Sequence, residues 1–339
     1  MAIGKRKLGG RMVNPVGLGC MNICWAYGPA VDDNYAKELL SRSLDLGYDH
    51  LDTARIYGAG ESERLIGEAL KGRRQEFYLA SKTGIVVDGP NRGIDCSPET
   101  IKAACEVSLK LLQTDHIDLY YLHRRDFKTP IEESVGALAD LVKEGKIGGY
   151  GLSEMSADTL RRAHAVHPCT AMQTEYSLMT RQPEIAVLDA CKALGVTFVA
   201  FSPVARGFLS NTFPAPSHPE WHKSDLRSSW PRFMEPHYSE NMRLAAAFNA
   251  IAADEGVTPA QLSMGWVHAQ GDHIVTIPGT QKISHLEQNI ARWDYEPSAQ
   301  TCAKLDALIN QNTVSGPRYT PGMQTLIDTE EFEAEHMAA

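Results

Sequence analysis

Eight short β-like runs, separated by helix-length amphipathic segments, constrain this chain more than any other feature. The runs span residues 16–20, 48–53, 77–82, 117–123, 147–153, 171–176, 197–202 and 274–278. Each is rich in Val, Ile, Leu, Tyr or Phe and ends in a polar or glycine-containing cluster. Segments with apolar residues at helical spacing lie at 34–45, 62–70, 100–112, 131–143, 157–166, 184–194, 240–255 and 259–269. Ser97-Pro98 supplies an N-cap and a first-turn proline to the third of these. Glu132 and Glu133 put negative charge in the first turn of the fourth, where the helix dipole favours it.

Such alternation predicts parallel strands. Two closures satisfy it, an open doubly wound sheet or a (β/α)8 barrel. The count of eight favours the barrel. So does the lack of a GxGxxG turn after the first run, which a dinucleotide-binding open sheet would normally carry. The expected fold is therefore α/β, a single (β/α)8 TIM-barrel domain over residues 1–339, with three additions. Residues 5–13 read as a β-hairpin turning on Gly9-Gly10 and able to plug the N-terminal end. Residues 203–239 form a long loop after strand seven, of a length that is usually functional. Residues 310–339 form a C-terminal extension, read as surface helix or loose chain, with an acidic run at 328–335.

Composition narrows the function classes. Of 339 residues, 43% are hydrophobic, enough to bury a core and to exclude disorder as the main state. No stretch reaches the roughly 18 consecutive apolar residues of a membrane span. The basic N-terminus has no apolar run behind it, so it does not read as a secretory leader. A net charge of −9, with no basic stripe, argues against a nucleic-acid partner. The seven cysteines are odd in number and make no CxxC pair, which predicts a reducing cytoplasm, free thiols and no metal site.

In a barrel, chemistry sits where the strands end. Strand two ends at Asp52-Thr53 with Tyr57 in its loop, strand three at Lys82 and strand four at His123. Taken singly, each has an ordinary reading: a helix cap, a rim aromatic, a solvated rim residue. Together, a carboxylate, a phenol, an ammonium and an imidazole converging on one mouth suit acid–base chemistry with perturbed pKa values. A nearby ammonium favours a phenolate and so lowers the phenol's pKa from its usual ~10. Asp52 would hold Lys82 charged, and His123 would orient a substrate oxygen. A carbonyl receiving a hydride needs such a proton donor and polariser. Later strand ends offer Ser153-Glu154, Gln173 and Phe201-Ser202-Pro203. The segment from Gly279 and Thr280 through Lys282 reads either as a phosphate site ahead of a short helix or as a turn only.

At this point the motifs resemble those of the aldo-keto reductases over roughly residues 5 to 310. Asp52-Thr53-Ala54-Arg55-Ile56-Tyr57-Gly58 with Glu61 resembles the DTAxxYGxxE signature. Leu122-His123-Arg124, Gly151-Leu152-Ser153-Glu154 and Gln173-Thr174-Glu175-Tyr176-Ser177 resemble the LHR, GLSN and QxEYS segments. Residues 201–209 resemble YSPLGRGFL, and 277–280 with 286–289 resemble IPGT…LEEN.

The resemblance implies NADP(H)-dependent reduction of an aldehyde or ketone, with Tyr57 as general acid, Lys82 and Asp52 lowering its pKa, and His123 orienting the carbonyl. It implies a cofactor shell of Met21, Asp52, Ser153, Glu154, Gln173, Phe201, Ser202, Pro203, Val204, Arg206, Gly207, Leu209, Gly279, Thr280, Lys282, Gln288 and Asn289. Glu154 departs from the usual Asn, replacing a possible donor with an acceptor. Lys282 near the adenine ribose would favour NADP(H) over NAD(H), although His285 stands where many members carry an arginine. The substrate pocket would take Trp25, Tyr27, Tyr57, His123 and Arg124. Ile56, Val86, Val87, Arg125, Phe127 and the loop aromatics Phe208, Phe213, Trp221, Trp230 and Phe233 are further candidates, the aromatics also reading as loop anchors. This content suggests an apolar carbonyl substrate. The expected partners are small molecules, without nucleic acid or membrane, for a monomer or homo-oligomer. Two other classes stay open, a nicotinamide-binding regulatory subunit like a potassium-channel β-subunit, and a phosphate-binding barrel isomerase or lyase.

Overall fold

The computed structural model describes residues 3–88, 91–213 and 221–333. The chain opens with a hairpin, β1 (Arg6–Leu8) antiparallel to β2 (Arg11–Val13). Then come β3 (Leu18–Gly19), β4 (His50–Asp52) and β5 (Tyr78–Thr83). A second hairpin, β6 (Ile85–Asp88) with β7 (Asn91–Ile94), interrupts the series. It resumes with β8 (Leu119–Leu122), β9 (Tyr150–Ser153), β10 (Ala171–Glu175), β11 (Thr197–Phe201) and β12 (Ile274–Ile277).

The eight non-hairpin strands form one parallel sheet in chain order, from β3 and β4 through β5 and β8 to β12. The first and last strands meet through parallel bridges from Val16 to Thr276 and from Gly19 to Gly279. Gly17 N–H donates to Thr276 O at 2.8 Å across this seam. The sheet is thus nearly closed, and the barrel rather than the open sheet is the outcome. Every residue of β5, β8 and β9 is buried, as expected of strands covered on both faces.

The outer ring is α1 (Asp33–Asp45), α2 (Glu61–Ala69), α3 (Pro98–Leu111), α4 (Ile131–Lys143), α5 (Ala157–Val166), α6 (Val187–Leu194), α7 (His237–Asp254), α8 (Pro259–Ala269) and α9 (Ile283–Ala291). Ser97 caps α3 by accepting from Thr100 N–H, with Pro98 in its first turn. Thr258 and Gln261 form a reciprocal capping box on α8. No helix among the described residues is long and apolar enough to cross a membrane.

The barrel interior is a separate small core. Leu8 and Val13 of the hairpin join Tyr78, Leu119, Tyr121, Val199 and Val275 in it. The Arg6 guanidinium donates to the carbonyls of Gly271 at 2.7 Å and His268 at 2.9 Å, and also to that of Ile274. The hairpin therefore seals the N-terminal end and leaves the opposite mouth for a site.

The long connection carries short 3-10 turns at Ala205–Ser210, Leu226–Ser229 and Pro231–Phe233; its residues 214–220 lie outside the described residues. Phe208 and Phe233 pack with ring centroids 4.5 Å apart, and Phe213 meets Trp221 at 5.7 Å. Phe208 and Phe233 belong to the main hydrophobic core, with Phe213 and Trp221 packed against it, and so anchor the loop.

The C-terminal segment is partly helical, as expected of an extension of this kind, and is docked rather than loose. After α10 (Ala299–Leu308) comes the single turn α11 (Pro321–Gln324), and most of the other described residues of the segment are irregular. Its described residues run across the mouth and dock on it. Asp328 pairs in parallel with Met155, and its carboxylate accepts from Thr159 Oγ1 at 2.6 Å. Glu330 accepts from Ala157 N–H at 2.7 Å. These two acids of the run, Asp328 and Glu330, thus sit at the N-terminus of α5, whose dipole attracts them. Residues 334–339, including the end of the acidic run, lie outside the described residues.

Candidate active site

The four expected catalytic side chains come together at the mouth. Asp52 ends β4 and Lys82 lies near the end of β5. His123 follows β8 directly. Tyr57 opens a 3-10 turn in which Gly58, Ala59 and Gly60 all take positive φ, at 58°, 57° and 104°. That left-handed stretch turns the chain sharply into α2, and glycine tolerates it without strain.

Lys82 Nζ donates to Asp52 Oδ1, to Thr53 O at 2.7 Å and to Tyr57 Oη at 3.4 Å. The other Asp52 oxygen accepts from Gln173 Nε2 at 2.7 Å. Lys82 and Asp52 are 1% and 2% exposed, so the ion pair is shielded from solvent and salt. The Tyr57 and His123 rings meet edge to face, with centroids 5.7 Å apart.

Burial pushes the Tyr57 phenol above its ordinary pKa, and Lys82 pulls it back only in part. The ammonium acts in the expected direction but does not win, so the phenol keeps its proton at neutral pH. Burial works against the Lys82 charge, yet Asp52 and then Tyr57 outweigh it and hold the ammonium above its usual range. Burial, reinforced by Arg124 and Lys82, drives His123 well below the usual histidine value. The site therefore presents a protonated phenol, a fixed cation and a neutral imidazole.

These groups face a cavity of about 490 Å³. Trp25, Tyr27, Ile56, His123 and Arg124 line its catalytic end. From there it runs past Ser153, Gln173 and Phe201, along 202–204 with Arg206 and Gly207, to Gly279, Thr280, Lys282, Gln288 and Asn289; Met21 also lines it.

Three expected site residues do not reach the cavity. Lys82 lies behind Tyr57, its ammonium 3.4 Å from the phenol oxygen. Leu209 is buried in the hydrophobic core. Glu154 turns away under the tail, accepting from Glu175 N–H at 2.9 Å and from Arg318 at 2.6 Å. A contact from its carboxylate to a ligand is thus replaced by a buried ion pair, because the tail brings a guanidinium to the end of β9. Of the loop aromatics, Trp230 lines the cavity, whereas Phe208 and Phe233 belong to the main hydrophobic core and Phe213 and Trp221 pack against it. Phe127 and Val87 are exposed and lie outside the lining.

Sequence reading missed other lining residues. Arg92 and Ile94 come from β7, and Tyr319, Met323 and Ile327 from the tail. A signal for the hairpin was present, Asp88-Gly89-Pro90-Asn91 being a turn sequence between two β-like runs. Nothing local marked the tail residues.

Fold and site together define a class: a hairpin-plugged (β/α)8 barrel with a buried cluster of Asp52, Tyr57, Lys82 and His123 at its C-terminal mouth. The family model for the aldo/keto reductase family matches residues 15–310. A relative from Schizosaccharomyces pombe, "Aldo-keto reductase yakc [NADP(+)]", is 39% identical over 95% of this chain and 96% of its own length. "Probable aldo-keto reductase 1" of Glycine max is 39% identical over 94% and 92%. Among solved structures, the glycerol dehydrogenase AKR11B4 from Gluconobacter oxydans superposes with a TM-score of 0.83 at 27% identity, covering 95% of this chain and 99% of that one. An aldo-keto reductase from Klebsiella pneumoniae in complex with NADPH gives 0.71 at 27% identity, over 97% and 99%. The chain belongs to the aldo/keto reductase family.

Proposed function

We propose that this protein reduces an aldehyde or ketone to the alcohol, reversibly, with NADP(H) as the hydride carrier. The observation that carries this reading is the Tyr57 phenol, protonated, 3.4 Å from the Lys82 ammonium and beside neutral His123 in a cavity long enough to continue to a helix N-terminus.

The residues along that cavity fit a dinucleotide. Ser202, Ala205, Arg206 and Gly207 all have positive φ, and such turns gather main-chain N–H groups around an anion. Helix α9 carries Lys282 at its N-cap position without a side-chain cap, and of its first N–H groups that of Ile283 meets only the Tyr35 hydroxyl at 3.4 Å, a start that suits phosphate. A Cβ on Gly279 would stand 2.5 Å from Asn22 Oδ1, so the backbone approaches there as only glycine allows. Ser153 and Gln173 would hold the carboxamide, Phe201 would stack under the ring, and Gly279, Thr280, Gln288 and Asn289 would hold the adenosine end. When bound, the reduced nicotinamide supplies the hydride to the carbonyl carbon.

Tyr57 then gives its proton to the carbonyl oxygen as charge develops there. Lys82, fixed by Asp52, favours the phenolate left behind. His123, neutral, has one N–H to donate to the same oxygen. Lys282 supports a 2′-phosphate and hence NADP(H); the names of the fission-yeast and Klebsiella relatives agree. Burial and Lys282 keep His285 below its ordinary value, so it adds no second cation. We also infer that residues 1–339 work as one catalytic unit in the cytoplasm, as monomer or homo-oligomer, with only small-molecule partners. NADPH loss against a panel of aldehydes and ketones, with NADH alongside, tests the reading; tight NADPH binding without turnover of any of them would overturn it.

A further inference from the structure

The cavity wall carries four arginines, and they are not equivalent. Arg206 is paired with Glu175, and Arg227 with Asp225 at 2.6 Å. Arg92 and Arg124 form no ion pair among the described residues. Asp52 is the one carboxylate among the described lining residues, and Lys82 and Gln173 already occupy both its oxygens. The two unanswered cations flank the reactive end. Arg124 follows His123 and donates through one nitrogen to His123 O at 2.6 Å and to Ser153 Oγ at 3.4 Å. Its remaining N–H groups have no partner among the described residues. Arg92 lies over the Trp25 ring at 4.8 Å, and Trp25 lies 6.2 Å from the Tyr57 ring.

Cofactor phosphates do not answer for this charge. They belong at the loop after β11 and at α9, whereas Arg124 follows β8 and Arg92 sits on the hairpin after β5. Arg124 is half-buried and Arg92 exposed; with no free carboxylate beside them among the described lining residues, they make the rim of the catalytic end attractive to an anionic group on the substrate.

We propose that the physiological substrate is an oxo acid, an aldehyde or ketone whose apolar body carries a carboxylate that Arg124 and Arg92 receive while the carbonyl rests on Tyr57 and His123. This rests on the carbonyl-reductase reading and sharpens it. The reduction itself is unchanged: hydride to carbon, the Tyr57 proton to oxygen.

The test uses matched pairs, 4-carboxybenzaldehyde with 4-methylbenzaldehyde and 4-oxobutanoate with butanal, under saturating NADPH. The carboxylate member is expected to have kcat/KM higher by about tenfold, the worth of one charge-assisted hydrogen bond. Arg92→Met should erase most of that ratio through KM of the acid, and Arg92→Lys should restore part of it. Arg124→Met should lower the same ratio, which cancels any general damage to turnover. Equal or better use of the neutral member by the unmodified enzyme overturns the oxo-acid assignment and leaves the reductase reading standing. A ratio unmoved by both arginine variants overturns the residue assignment. Turnover of neither member overturns the reductase reading and this inference with it.

Discussion

Arg206 and Arg318 donate to the same oxygen, Oε2 of Glu175, one from the loop after β11 and the other from the tail at 2.7 Å. Arg318 also reaches Glu154 at 2.6 Å, and Arg206 lies between the Trp230 ring at 4.0 Å and the Tyr319 ring at 4.8 Å. The loop proposed to cover the cofactor and the tail that walls the substrate end are thus held by one buried carboxylate. Removing a single partner from such a network strands a charge and costs about 3–5 kcal/mol. Arg318→Met should lower the urea midpoint and raise hydrogen exchange across 318–330, with the strands of the barrel still protected.

Glu175 also sets an acid limit. Burial alone would raise its pKa, but Arg206 and Arg318 overcome this and hold it below the ordinary carboxylate value. Its stabilisation is fully present above the unfolded value of about 4.3 and is lost as pH falls toward the depressed folded value. The stability gap between the unmodified protein and Glu175→Gln should therefore be widest above pH ~5 and shrink on acidification, as urea titrations at stepped pH will show.

Tyr57→Phe removes the proton donor but leaves the aromatic ring. Reduction should fall by about 10² to 10⁴ in kcat, the usual worth of a positioned acid. NADPH titration by fluorescence should give an almost unchanged Kd. Retained turnover would sink the acid assignment.

His123 is held well below the usual histidine pKa, with burial the main cause. It is therefore neutral at physiological pH. The kcat/KM profile for reduction should accordingly show no inflection near the ordinary histidine value of about 6.5.

Lys282→Met tests the phosphate end. It should raise KM for NADPH about tenfold while leaving that for NADH nearly unchanged, since only the former carries the 2′-phosphate. Equal effects on both cofactors would place Lys282 at the pyrophosphate or nowhere near either.

Much of this was legible along the chain because barrels repeat a local unit. The alternation of β-like runs and amphipathic helices is a short-range property, so the eight strands and their polar ends could be read directly. Asp52, Tyr57, Lys82 and His123 converge because strand ends converge. Glu154 could not be read in the same way, because its partner Arg318 is distant in sequence and only the docked tail reveals it. Arg92 was hidden for a related reason: a hairpin inserted between β5 and α3 has no place in the repeating pattern.

The sealed end of the barrel has a practical consequence for handling the protein. Arg6, bonded to three carbonyls at the far end, fixes the start of the chain away from the mouth, whereas the last described residues lie on it. Affinity tags, fluorescent fusions and surface tethers belong at the N-terminus, where they leave the reactive face clear. The same additions at the C-terminus would pull on Asp328 and Glu330 and distort kinetics without touching a catalytic atom.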